Sequence, residues 1–409
     1  MEAHLHENGS DGIDRLLLEL NALKCGSFAS TAQRVQVKDA LLAALSRIET
    51  PWETALRLVF TEPAIGAALK ICYDVDLFKK WIDDLGAMPA DSEALAKLVG
   101  VDEVLLSRLL QHLAATHILL KTASGRYIPT AFSAALATSE LGSTVPFLYQ
   151  TTLPGYSNLP GFLKASGYSD PCNGAQTNWH QMCGGSRFEE LRRRPSDMAV
   201  FQAVMRAYAA NKEHWTALFS VEQLLRQHST AADLRVPLLV DVGGGTGYDV
   251  KRLRAALVAD LGLAEASKYE LVLQDLGNAL PLHEKAQIDG VRVMEHDFFL
   301  EQPIKGATAY YLHTVLHDWS DEQAIAILRG LAAACAPGRS RVLIHEIIIT
   351  GDAPAAATTS DMQMMMVLSS RERTEEAWRA IVTGAGLRVA AIWGLPGSME
   401  SVIEAVKVD

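Results

Sequence analysis

The chain has 409 residues, room for two domains around separate cores, and 49% of them are aliphatic, aromatic or cysteine, the composition of a fully folded protein. A formal charge of −11 without a sustained basic patch excludes nucleic acid as a partner, and the run Arg192, Arg193, Arg194 reads as the solvated end of a helix. No apolar stretch approaches the roughly 20 residues that cross a bilayer, the opening residues are polar and acidic, and Cys25, Cys72, Cys172, Cys183 and Cys335 lack metal-type spacing, so a cytoplasmic protein with reduced thiols and no bound metal is expected.

Residues 1 to about 30 hold one amphipathic helical pattern, IDRLLLELNAL. From Thr31 to Leu69 apolar positions recur at helical spacing, with Pro51 and Pro63 expected as breaks. The block from Asp76 to Thr130 then gives three short helical patterns, a strand, a turn at Ser124 and Gly125, and a second strand, which is the pattern of a winged helix. Its third helix, EVLLSRLLQHLAATH, carries one arginine among several apolar residues, so packing and dimerisation are expected of it in place of DNA reading. Residues 1–140 are therefore assigned to an N-terminal α-helical winged-helix domain. Residues 141–230 are rich in turns and aromatics, among them Phe147, Tyr149, Tyr156, Phe162, Tyr168, Trp179 and Phe188, and read as linker helices lining a substrate pocket.

From residue 231 to 409 short apolar runs alternate with helical patterns, as a mostly parallel sheet with crossover helices requires. Seven runs read as strands: LLVDV, YELVLQD, VRVMEHD, ATAYYLHTV, RVLIHE, RVAAIWG and ESVIEAVKV, the last two closing an antiparallel hairpin through the turn at 395–399. Ligands of such sheets bind beyond the carboxyl ends of the strands, and Asp241, Asp275, Asp297, His317 and Glu346 all fall at or just after such ends.

The first strand runs into Gly243, Gly244, Gly245 and Gly247. Such a loop turns sharply and lets a ligand approach main-chain N–H groups that a Cβ would block. Tyr248 stands where the dinucleotide fingerprint needs a glycine, and the phosphate-loop lysine and hydroxyl pair is missing, which favours a nucleoside without phosphates. Asp275, 34 positions after Asp241, is placed to accept both hydroxyls of a ribose. Asp297 offers an acceptor for an exocyclic amine, and Phe298 and Phe299 offer rings for a purine to stack on. Together these describe an adenosine site.

The segment QPIKGATAYYLHTVLHDWSDEQAIAILRGLAAACAPGRSRVLIHE, with DVGGGTG before it and RERTEEAWRAIVTGAGL after it, resembles the S-adenosylmethionine-dependent O-methyltransferases of the plant caffeate type and their fungal polyketide relatives, over essentially the whole chain. The resemblance implies an α/β fold: a Rossmann-like class I methyltransferase domain with a seven-stranded, mostly parallel sheet, preceded by a winged-helix domain that forms a homodimer. It implies S-adenosylmethionine as cofactor, S-adenosylhomocysteine as product and a small aromatic acceptor as partner, with neither nucleic acid nor membrane involved. It puts the general base on His317, oriented by Glu346 and Glu372, and the cofactor on Asp241, Gly243, Gly245, Asp275, Leu276, Asp297, Phe298 and His313, the last standing where plant members have lysine. It puts the acceptor against Phe201, Met205, Trp179, Met364 and Asp318. In the family pattern glycines precede the second glutamate's motif; here Ser369 and Ser370 stand there.

The chemistry agrees with that assignment. A phenol, with a pKa near 10, is a poor nucleophile until a base takes its proton, and histidine titrates close enough to neutrality to serve. The residue pattern thus predicts O-methylation of a phenolic hydroxyl, with two alternatives: a pericyclase that keeps the cofactor without transferring its methyl group, and a catalytically silent binding protein.

Overall fold

The computed structural model describes residues 3–172, 176–212, 214–228, 235–277, 279, 289–396 and 398–408. The chain divides into two compact units, Met1–Thr61 and Glu62–Asp409. The first contains helices Ala3–Ala22, Thr31–Ile48 and Pro51–Leu56. The Ser30 and Thr50 hydroxyls cap the second and third of these by accepting from the N–H groups of Gln33 and Glu53. Ala3–Ala22 is longer than the IDRLLLELNAL pattern indicated.

The second unit opens with helix Glu62–Asp74, in which Pro63 does not act as the expected break. It is the second residue of that helix and follows directly on the π-helical turn Arg57–Thr61. Helices Leu77–Leu85, Ser92–Val99 and Glu103–Ala115 follow, the last two capped by Asp91 and Asp102. Strands β1 (Leu119–Lys121) and β2 (Tyr127–Pro129) then pair antiparallel. Leu77, Phe78, Trp81, Leu95, Leu106, Leu110 and Leu119 form one core here, so the helix–helix–helix–hairpin order read from the sequence is what the chain builds.

The remaining strands, β3 (Leu239–Val242), β4 (Leu271–Asp275), β5 (Val291–Glu295), β6 (Ala309–His313), β7 (Arg341–Ile347), β8 (Leu387–Trp393) and β9 (Glu400–Lys407), form one sheet in the order β5-β4-β3-β6-β7-β9-β8. All are parallel except β9, which runs antiparallel to both β7 and β8. The expected closing hairpin is present, although residue 397 of its turn lies outside the described residues.

Alternate residues of each strand feed opposite faces, as the period of two demands. Val240, Val242, Tyr310, Leu312, Val342 and Ile344 pack on one side against Ile327, Leu328, Leu331 and Trp378 of helices Asp321–Ala334 and Glu375–Gly384. Leu239, Leu271, Leu273, Tyr311 and Leu343 pack on the other side against Trp215, Phe219 and the helix Tyr248–Leu261. Strand β3 has β4 on one side and β6 on the other, so the strand order reverses there and opens a crevice at the carboxyl ends.

Candidate active site

The chain leaves β6 at His313, passes Thr314 with φ +50°, and makes a tight turn at Leu316–Asp318. Two buried side chains hold that turn from opposite polarities. Glu346, on β7, accepts with Oε1 the N–H groups of Val315 (3.1 Å), Leu316 (2.9 Å) and His317 (3.3 Å). Arg373 donates to the carbonyls of Leu316 (2.8 Å) and Trp319 (2.5 Å) and to Asp321 (2.9 Å), with its guanidinium 5.1 Å over the ring of Trp378. The peptide groups of the turn are therefore satisfied by side chains, and the imidazole they carry is fixed in place.

His317 is nearly buried. Its Nδ1 lies 3.0 Å from Oε1 of Glu372 and 3.6 Å from Oε2 of Glu346, and its Nε2 lies 3.4 Å from Oδ1 of Asp318. Glu372 is set by two further bonds: Oε1 accepts the hydroxyl of Ser360 at 2.7 Å, and its own N–H donates to Asp361 at 2.9 Å. Burial alone would lower the His317 pKa, but Glu346, Asp318 and Glu372 outweigh it and raise the imidazole to about 10. Burial pushes Asp318 up to about 7 against the pull of His317. It also raises Glu346.

The glycine loop begins at the end of β3. A Cβ on Gly243, whose φ is +75°, would lie 2.9 Å from Val315, and one on Gly244 would lie 2.5 Å from the Asp241 carboxyl. Only glycine lets the chain pack this closely. Gly245, with φ +55°, faces open space. Its N–H donates 2.8 Å to Asp275, which also accepts from Leu276 at 2.7 Å, so that carboxylate is aimed and keeps lone pairs for a ligand. Asp241 is buried with Oδ2 lacking a hydrogen-bond partner among the described residues. Asp297 accepts the N–H of Phe299 at 2.9 Å, and Phe298, Phe299 and Trp319 meet edge to face or tilted, with centroids 4.8–5.9 Å apart. An aimed carboxylate beside an open glycine backbone, an aromatic wall and an orphaned acid suits a nucleoside bearing a charged arm.

The expected acceptor residues fare unevenly. Phe201 and Met205 share a face of helix Pro195–Ala210, half-buried and exposed respectively. Met364 is half-buried on helix Ala355–Leu368, whereas its neighbour Met366 is core. Trp179 has no free surface to offer a ligand: it is fully buried, its indole N–H donates 2.8 Å to Glu190, and Arg187 covers its ring at 4.6 Å. The sequence signal there was an aromatic in a pocket-forming segment, and a cation took its face. Ser360, Asp361 and Arg373 were missed, because their partners lie 11 to 57 residues away; Arg373 stands inside the RERT motif, but the motif does not indicate which groups it serves.

Residues 169–388 match the model of an O-methyltransferase domain. The chain is 38% identical to the O-methyltransferase mfmE of Annulohypoxylon moriforme over 397 residues, covering 95% of this chain and 94% of that one. Among solved structures it is similar to LepI in complex with S-adenosylmethionine, with a TM-score of 0.84, 26% identity, and 99% and 100% of the two chains covered. A chain described as a pericyclic reaction enzyme gives a TM-score of 0.83 at 26% identity with the same coverage. The protein belongs to the S-adenosylmethionine-dependent O-methyltransferases of fungal secondary metabolism. It is an enzyme of the class I methyltransferase fold, its cofactor is S-adenosylmethionine, and its partner is a small-molecule acceptor. Among the described residues, no helix is long and apolar enough to cross a membrane.

Proposed function

We propose that this O-methyltransferase methylates a phenolic hydroxyl of an aromatic or polyketide metabolite, with His317 as the base. The observation that carries the reading is the 3.0 Å contact between His317 Nδ1 and Glu372. A carboxylate on Nδ1 fixes the tautomer, leaves Nε2 to take the proton and stabilises the imidazolium that forms. A base raised to about 10 matches the proton affinity of a phenol, so the transfer is close to thermoneutral. Bound S-adenosylmethionine supplies the electrophilic methyl group. Asp275 would hold its ribose, Asp297 and Phe298 its adenine, and Asp241, Gly243, Gly245, Leu276 and His313 would line the crevice. Phe201, Met205, Met364 and Asp318 would wall the acceptor, and a methionine-bearing wall adapts to flat, variable rings. What the chain contributes to the transfer is alignment of the acceptor oxygen and exclusion of water. We also place a homodimer interface in the N-terminal helices, none of whose described side chains from 12 to 61 is buried.

A second reading, catalysis of a pericyclic reaction with the methyl group retained, is favoured by the likeness to the pericyclic enzyme. The retained His317, Glu346 and Glu372 favour methyl transfer. Incubation with methyl-labelled S-adenosylmethionine across a panel of phenolic polyketides, read by mass spectrometry, separates the two. Label in one acceptor, lost by about 10²–10⁴-fold in His317→Ala, is the expected result. Tight cofactor binding with no labelled product would move the assignment to the second reading.

A further inference from the structure

Deprotonation of the acceptor leaves unused one buried group of side chains of the kind that bind metals. His313 ends β6 and His345 stands opposite it on β7, while Glu400 opens β9, two residues before the Val402 that pairs with His345. Side chains alternate along a strand, so the three fall on one face of the sheet. Nε2 of His313 lies 3.4 Å, and Nε2 of His345 3.5 Å, from the same oxygen, Oε2 of Glu400. One donor atom from each of the three lies within 4.8 Å of the others. The chain separates His313 from Glu400 by 87 residues, so no local spacing marks the group.

The far nitrogens of both rings are held. Nδ1 of His313 lies 2.7 Å from Oδ2 of Asp249, and Nδ1 of His345 lies 2.8 Å from the Tyr311 hydroxyl. An acceptor on Nδ1–H leaves Nε2 with its lone pair turned the other way, the arrangement that prepares a histidine for a metal. Here both Nε2 atoms face one carboxylate oxygen. His345 is fully buried, and its Nε2 lacks a hydrogen-bond partner among the described residues. A lone pair held beside an anionic oxygen away from water is costly, and a cation between them removes the cost. Lys212 is paired with the other oxygen of Glu400 and leaves Oε2 to the two rings.

The distances select the ion. Tetrahedral bonds of about 2.0–2.1 Å put ligand atoms about 3.3–3.4 Å apart. Octahedral bonds of the same length put neighbouring ligands about 2.9–3.0 Å apart. The two edges at Glu400, 3.4 and 3.5 Å, fit the tetrahedron, and two imidazoles with a carboxylate suit zinc. We propose that His313, His345 and Glu400 bind one Zn²⁺ through Nε2, Nε2 and Oε2, with Asp249 and Tyr311 orienting the two histidines. The ion pins the antiparallel β9 to the parallel strands at their carboxyl edge. Side-chain exposure is 12% at His313 but 3% at Glu400 and 1% at His345, so the ion lies on the closed side of His313 and binds without the cofactor.

The test is calorimetric titration of Zn²⁺ into the full-length protein, stripped of metal and free of cofactor. One ion per chain should bind, and the melting temperature should rise with zinc concentration. Asp249→Asn and Tyr311→Phe remove a partner behind a ligand and should weaken zinc by about 10–100-fold; His345→Ala and Glu400→Gln remove a ligand and should weaken it by more than about 100-fold. Glu372→Gln, in the other buried histidine–glutamate group, should leave zinc affinity unchanged. Co²⁺ in place of zinc should give the strong visible absorption of a tetrahedral complex, kept in Tyr311→Phe and lost in His345→Ala. A wild-type chain that takes up no zinc overturns the proposal, as does zinc held equally by wild type, His345→Ala and Glu400→Gln. Zinc lost in Glu372→Gln and kept in His345→Ala puts the ion at the catalytic base and overturns it too. Where a ligand variant fails to fold, Tyr311→Phe, which removes one hydroxyl, decides: zinc affinity equal to wild type overturns the proposal.

Discussion

Nδ1 of His317 and Oε1 of Glu372 lie 3.0 Å apart, both buried, and the same oxygen accepts the hydroxyl of Ser360. Glu346 stands 3.6 Å from that nitrogen but spends its other oxygen on the backbone of the turn. The two glutamates therefore act differently. Glu372 orients the ring, and Glu346 builds the loop that presents it while adding its charge.

From that division follows a pH dependence. With His317 raised to about 10, the neutral base is scarce at pH 7 and becomes more abundant as pH rises. kcat/KM for a phenolic acceptor should thus climb through the alkaline range up to about pH 10. Glu372→Gln removes a charge that raises the imidazole, so the climb should move to lower pH, with the maximal rate reduced. A pH profile that does not move would remove Glu372 from the proton's environment. The stability linkage has the opposite slope. Because the folded pKa is raised above the ordinary 6.5, the stabilisation is complete below about pH 6.5 and is lost as pH rises through about 10.

Arg373 touches no reacting atom and fixes the turn by binding the carbonyls of Leu316 and Trp319. Arg373→Met leaves those acceptors unpaired, at a cost of about 1–3 kcal/mol each. Turnover should fall while S-adenosylhomocysteine affinity holds, because the glycine loop and Asp275 are untouched. Arg373→Lys, which can reach one carbonyl but cannot fork, should recover part of the stability and less of kcat. Equal loss of kcat and of cofactor affinity would mean that the variant perturbs the whole domain.

The N-terminal unit exposes Leu17, Leu42, Trp52 and Phe60 and buries none of its described side chains from 12 to 61. Apolar helices without a core of their own hold together only when covered. Sedimentation should give twice the 44.4 kDa chain mass, and Trp52→Ser combined with Phe60→Ser should shift the species toward 44.4 kDa. A full-length chain sedimenting at 44.4 kDa refutes the homodimer.

What could be read from the sequence divides along a physical line. The seven strands were legible because each is a short, mostly apolar run, the central ones buried on both faces along nearly their whole length, and three of them, β4, β5 and β6, end in an acid or histidine. Asp275 and His317 were legible for the same reason, since a strand's carboxyl end is a place in the sequence as well as in the sheet. The pairing of Lys212 with Glu400, 188 residues apart, leaves no local trace. Nor does the role of Arg373, whose neighbours Glu372 and Thr374 drew attention to the motif without indicating which peptide groups the guanidinium serves. Trp179 misled because composition shows an aromatic but not the arginine stacked on it.

Gly155 and Met366 form a contact with no spare volume. A Cβ at Gly155 would sit 1.9 Å from the Met366 sulfur, on helices that Asn178 ties together by donating to the carbonyls of both residues. Gly155→Ala should destabilise by about 1–3 kcal/mol through overpacking. Met366→Ala alone should cost about 2–5 kcal/mol through the cavity it leaves beside Leu159 and Phe162. In the double variant the new methyl enters the space the sulfur vacated, so the combined loss in urea unfolding should be smaller than the sum of the two single losses. Additive losses would show that the two residues do not compete for one volume. The strain also has a route to catalysis. Met366 shares its helix with Met364 and with Ser360, whose hydroxyl donates to Glu372. A helix displaced by Gly155→Ala should therefore raise KM for the acceptor and alter the His317 pH profile, and Met366→Ala in the same chain should restore both.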